Sequence, residues 1–205
     1  MNNKLKGYFK YTLVLDCETS GIAFGADDPS FDPKQNLPYQ SVSWGLIVVE
    51  SHTLKTVEEM YVEIMWDSVS LWQTDAENIH KLSKDHLTKN GLTQEEVVEE
   101  IGGLLLKYWG PDNAIPTIGH NVGSFDIFFL RRLFRKFGIE LKFSHRQCDT
   151  NSVGFATFGT YSSDELFQAL ELPPRKTHNA LEDARMALEV VKRVRKLWRT
   201  CILDE

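Results

Sequence analysis

The stretch LVLDCETSG, residues 13–21, decides the reading of this chain. Its apolar half is β-strand sequence, and with YFK and YT before it (residues 8–12) it reads as one strand. Two carboxylates, Asp16 and Glu18, close the strand two residues apart. Side chains alternate across a strand, so both point to one face. Like charges that close raise a pKa or strain the fold, and a divalent cation removes the conflict. The following Thr19, Ser20 and Gly21 offer hydroxyls and backbone amides to a nucleotide.

Two further segments carry isolated acids beside apolar sequence: GHNVGSFDIFFLRRL, with Asp126, and THNALEDARMALEVV, with His178 and Asp183. Carboxylates bordering a core are costly unless something cationic offsets them. Asp126 stands at a predicted helix start, facing the positive end of the dipole, with Ser124 or Asn121 positioned to cap or shape the turn. His178 and Asp183 are five residues apart, about 140° around a helix, and cannot share a face of it. If the helix begins at Asn179, with Glu182 closing a capping box, His178 lies in the preceding loop. A loop histidine with a pKa near 6.5 suits a general base.

The order of elements follows from patterning. SVSWGLIVVE and VEEMYVEIMW are strands two and three, joined closely enough for an antiparallel meander. Between strands one and two, residues 22–40 form a Gly-, Asp- and Pro-containing loop, either a rim over the site or an idle insertion. Helical spacing covers 93–109, where Thr93 and Glu96 fit a capping box. It covers 124–138, with Phe125, Phe128, Phe129, Leu133 and Phe137 expected on one face and Gly138 ending it. It covers 180–198 as well. Residues 114–121 and 145–150 are short strands, and 162–172 is a short helix expected to stop at Pro173 and Pro174. Strands first meandering, then alternating with helices, predict an α/β fold with a central mixed sheet of about five strands flanked by helices. With no linker-like composition, residues 1–205 read as a single domain.

Composition narrows the function classes. Of 205 residues 42% are hydrophobic, enough for a sizeable core. No apolar run reaches the roughly 20 residues of a membrane span, so no membrane association is expected, and the N-terminus lacks signal-peptide features. Three cysteines (Cys17, Cys148, Cys201) without paired spacing predict reduced thiols and a cytoplasmic setting, with neither disulfides nor a zinc cluster. A net charge of −6 argues against broad duplex binding but allows a few nucleotides held at a strand end.

Together the spaced motifs D-x-E, H-N-x3-F-D and H-N-A-x2-D resemble the DEDDh 3′→5′ exonucleases, which include proofreading subunits, ribonuclease T and oligoribonuclease-like enzymes. The resemblance runs from Tyr11 to about Val191, and AENIHKLSKDHL (76–87) looks like a fourth family segment. It implies a ribonuclease-H-like fold. It implies two divalent cations, Mg²⁺ or Mn²⁺, held by Asp16, Glu18, Asp126 and Asp183, with His178 deprotonating the attacking water. Thr19, Ser20, Gly21, His80 and Phe125 would meet the terminal nucleotide, Asn121 would orient the Asp126 turn, and Asp149 would play a supporting role. The expected reaction releases nucleoside 5′-monophosphates from single-stranded 3′ ends, with DNA expected over RNA and a polymerase as a possible partner. The alternatives are an RNA-trimming enzyme and a non-catalytic, polymerase-associated binding module.

Overall fold

The structure, a computed structural model, describes residues 9–22, 39–174 and 178–203. Most of the 22–40 loop expected from sequence lies outside the described residues. The strands fall where patterning puts them: β1 Tyr11–Thr19, β2 Ser41–Glu50, β3 Thr56–Glu63, β4 Ile115–Gly119 and β5 Phe143–Asp149. They form one mixed sheet in the order β3-β2-β1-β4-β5. β1 and β2 pair antiparallel, as do β2 and β3, while β1–β4 and β4–β5 are parallel.

Helices cover both faces: α1 Thr74–His80, α2 Lys84–Asn90, α3 Gln94–Trp109, α4 Asp126–Arg135, α5 Thr150–Phe158, α6 Ser163–Ala169 and α7 Ala180–Leu203. Alternation along β1 sends Leu13, Leu15 and Cys17 into one core with α3 and α4. Val14 goes to the other face, where Ala184, Ala187, Leu188 and Val191 of α7 cover it. Among the described residues, no helix is long and apolar enough to cross a membrane.

The capping box at Thr93 forms, with Glu96 closing it. α4 departs from the expected face. Ile127, Phe129, Leu130, Leu133 and Phe134 are its buried apolar residues, whereas Phe137 is 39% exposed. Phe137 lies past the last regular turn, where Gly138 (φ +73°) reverses the chain and Ile139 N–H returns to the Phe134 carbonyl. The helix at 163–169 ends at Leu170, ahead of Pro173 and Pro174, so the prolines are not what stops it. The short helices α1, α2 and α5 are additions, each nine residues or fewer.

One glycine connects this architecture to the acidic segments. Gly45 of β2 lies opposite Asp16 of β1. A Cβ at Gly45 would stand 2.3 Å from the Ala180 backbone, so only a bare residue lets the first turn of α7 rest on the sheet. Gly45→Ala is expected to cost about 1–3 kcal/mol in urea unfolding, as overpacking does, and to displace Asp183. Gly103→Ala, in α3 with nothing within 4 Å, is the control and should be neutral or slightly stabilising. Equal stabilities for the two variants would refute this seating of α7.

Candidate active site

Strand order reverses beside β1: the chain runs to β2 and β3 on one side, then returns to β4 on the other. Ligands in open α/β sheets gather outside the carboxyl ends of strands at such a point. β4 pairs with β1 only at Leu13 and Val14. Further along β1 the Cys17 amide has no strand partner on that edge, and Asp126 takes it: Asp126 Oδ1 accepts the Cys17 N–H at 2.8 Å. The carboxylate at the start of α4 is thereby fixed to the peptide between Asp16 and Glu18.

The turn into α4 is set by Asn121, in the left-handed region at φ 60°. Its carbonyl accepts from the Ser124 and Phe125 amides, and its side-chain oxygen accepts from the Ser124 hydroxyl at 2.7 Å. Asp149 Oδ1 accepts the Asn121 amide at 2.8 Å, which gives Asp149 its supporting place. The expected cap by Ser124 or Asn121 takes this form, a shaped turn; Phe125 occupies the cap position without a side-chain cap bond.

On the other face, Asn179 caps α7, its Oδ1 accepting from the Leu181 and Glu182 amides. His178 is consequently in the loop before the helix, and Asp183 in the first turn. His178 Nδ1 is 3.7 Å from Asp183 Oδ2. Ligand atoms of Glu18, His178 and Asp183 all lie within 4.8 Å of one another. Asp16 shares the strand face of Glu18, and its charge, with those of Asp126 and Glu18, helps hold the buried Cys17 thiol well above its usual pKa; burial is the largest cause. Three sequence-distant segments thus converge on one end of β1.

A cavity of about 660 Å³ adjoins them, lined in part by Glu18, Thr19, Ile22, Ile79, His80 and Phe125. His80 is buried, and its Nδ1 accepts the Leu82 amide at 3.0 Å, which leaves the ring proton on Nε2. His80 Nε2 is itself buried. Burial depresses the His80 pKa and favours this neutral form. Thr19 lines the cavity, whereas Ser20 and Gly21 do not. The Ser20 hydroxyl donates to the Leu71 carbonyl and accepts from Gln40 N–H, tying loop ends together. Gly21 is bare because the Tyr39 ring would lie 2.2 Å from a Cβ there. Ile22 and Ile79, 71% and 50% exposed at the cavity, escape a sequence reading. Their only signal is adjacency to the T-S-G stretch and to His80.

Asp126 is almost fully buried, and burial pushes its pKa up to about 7, with Asp149 adding repulsion and the Cys17 hydrogen bonds opposing. A carboxyl whose folded pKa exceeds its unfolded value of 3.8 holds its proton more tightly when folded. Its contribution to stability is therefore greatest at low pH and falls as pH climbs from about 4 to about 7, at about 1.4 kcal/mol per pH unit. In EDTA, Asp126→Asn should be more stable than wild type at pH 7.5, with the gap shrinking at pH 5. Urea titrations showing the same gap at both pH values would contradict this.

The exonuclease family model RNase_T matches residues 13–191. The chain is 28% identical over 183 residues to the PolC-type DNA polymerase III of Thermotoga petrophila, and equally to that of Thermotoga maritima. These alignments take 88% of this chain but 12% of each relative, so the chain spans a small part of their length. Among solved structures, E. coli exonuclease I superposes in its zinc-bound complex with single-stranded DNA (TM-score 0.75, 15% identity, 92% of this chain and 41% of that one). Its complex with a dT13 oligonucleotide matches comparably (TM-score 0.74, 15% identity, 95% and 43%). At that identity the superposition establishes the ribonuclease-H-like fold, and the family match establishes the rest: this chain belongs to the exonuclease family, among the DEDDh 3′→5′ exonucleases.

Proposed function

We propose that the chain hydrolyses the terminal phosphodiester of single-stranded DNA from the 3′ end, releasing nucleoside 5′-monophosphates with the aid of divalent cations. The observation that carries this reading is the convergence of Glu18, His178 and Asp183 within 4.8 Å, beside Asp126 and the adjoining cavity. A volume of about 660 Å³ falls in the range of small-molecule sites and accommodates one unstacked nucleotide.

The donor set fits hard cations. Four carboxylates supply oxygen, and Cys17, the nearest thiol, is held protonated, so Mg²⁺ or Mn²⁺ suits it better than a thiolate-seeking metal. Asp16, Glu18, Asp126 and Asp183 would hold two such ions. Bound there, the pair would acidify a water and offset charge on the leaving 3′-oxygen. His178 takes the proton of the attacking water. Its side chain is 41% exposed, so the ring passes that proton on to solvent, and Asp183 at 3.7 Å stabilises the imidazolium that forms. Phe125, Ile79 and Ile22 offer apolar surface to the terminal base, and the His80 ring forms part of the cavity wall. A base in this cavity has left its stack, so frayed or single-stranded ends are preferred over blunt duplex. The polymerase relatives and the oligodeoxynucleotide complexes of exonuclease I favour DNA, and the polymerase relatives favour a proofreading setting.

Matched 5′-labelled DNA and RNA oligomers test the reading. With Mg²⁺ a ladder should shorten from the 3′ end, faster for DNA, and EDTA should stop it. Undiminished digestion in EDTA would overturn the metal-dependent mechanism, and faster RNA digestion would transfer the assignment to RNA trimming. Asp16→Ala and Asp183→Asn are expected to abolish turnover by weakening metal binding. His178→Ala should lower kcat by about 10²–10⁴-fold, the usual range for a lost general base, while the Mg²⁺ concentration for half-maximal rate stays near wild type. A large rise in that concentration would place His178 among the ligands instead.

A further inference from the structure

Helix α5 and the turn after it present an aromatic step to solvent. Phe155 and Tyr161 lie face to face, ring centroids 4.5 Å apart and planes 5° from parallel, and are 52% and 59% exposed. Phe158 is 41% exposed nearby in sequence. The backbone is shaped to produce this stack. Gly159, at φ +73°, reverses the chain. Gly154 is bare where a Cβ would come within 2.8 Å of the Thr160 carbonyl, so the returning chain can lie against α5. Asn151 Nδ2 donates to the Tyr161 carbonyl at 3.3 Å.

The step stands at the catalytic end of the sheet. Asp149 Oδ1 accepts both the Asn121 amide, in the turn leading to Asp126, and the Asn151 amide, which opens α5. The Thr150 hydroxyl donates to the Gly119 carbonyl at the end of β4. Phe155 is four residues beyond Asn151, about 6 Å along the helix. The cavity proposed for the terminal nucleotide lies toward α1 and Phe125, whereas Asp183 belongs to α7 and His178 to the loop just before it. On that side α5 packs too, with Val153 against the cluster that includes Val190. A strand with its last nucleotide in the cavity and its scissile phosphate at the carboxylates would have α7 and α5 on its upstream side.

We infer that Phe155 and Tyr161 form a stacking platform for an unpaired base upstream of the scissile bond. This rests on the exonuclease reading above. Flat aromatic faces bind any base, so the platform adds affinity for single strands several nucleotides long without sequence preference.

The test uses the full chain with Phe155→Ala/Tyr161→Ala, and with Tyr161→Phe as the conservative variant. Binding of 5′-fluorescein dT8 is read by anisotropy with Ca²⁺ in place of Mg²⁺. Hydrolysis of dT8, dT2 and the p-nitrophenyl ester of thymidine 5′-monophosphate is read with Mg²⁺. The double variant should bind dT8 about tenfold more weakly, the size expected for one lost base stack. Its KM for dT8 should rise to match, with kcat held and with dT2 and the ester unchanged. Tyr161→Phe should behave as wild type. Unchanged dT8 affinity overturns the platform and would leave the patch for a protein partner. Equal losses on all three substrates overturn it too, because they mark a structural role. A wild type that binds dT8 but cleaves none of the substrates refutes the exonuclease reading, while the binding comparison still decides the platform.

Discussion

Like charges crowded where water is scarce set the terms for this molecule. Asp126 is buried at the tip of β1, fixed to the Cys17 amide between two other carboxylates. Burial raises its pKa to about 7, so near neutrality the metal-free fold carries either a strained charge or an extra proton. Stability is given up at a place where a nearby positive charge would restore it.

The rest of the architecture serves that crowding. A sheet whose strand order reverses at β1 leaves its carboxyl end open on one edge, and Asp126 enters through that opening. Gly45 removes the side chain that would lift α7 away, and Asn179 starts that helix one residue after His178. The histidine thereby stays in the loop while Asp183 sits in the helix's first turn. Loop ends are fastened by Ser20, which links the end of β1 to the chain at Gln40 and Leu71. The hydrogen bond to Asp126, the helical turn that carries Asp183 and the fastened rim hold these groups in fixed positions.

Much of this was legible in the sequence, for identifiable reasons. Strands and long helices announce themselves through periodicity, and the capping signals at Thr93 and Asn179 placed two helix starts correctly. The D-x-E spacing on a strand and the offset between His178 and Asp183 fixed faces and loop placement by geometry alone. Helices α1 and α2, at seven residues, are too short for a readable period, and α5 mixes Gly, Thr and Phe without a stripe. Phe137 escapes the periodic face of α4 because the helix ends before that residue can point inward. Ser20 read as a ligand-facing hydroxyl because sequence does not reveal which loop ends need tying. The exposed isoleucines at the cavity had no signal beyond their neighbours.

A Mn²⁺ titration followed by electron paramagnetic resonance tests most directly whether the gathered carboxylates form a divalent-cation site. Saturable binding of two Mn²⁺ per chain is expected in wild type, lost or halved in Asp16→Ala. No saturable binding, or the same stoichiometry and affinity in both proteins, would contradict it.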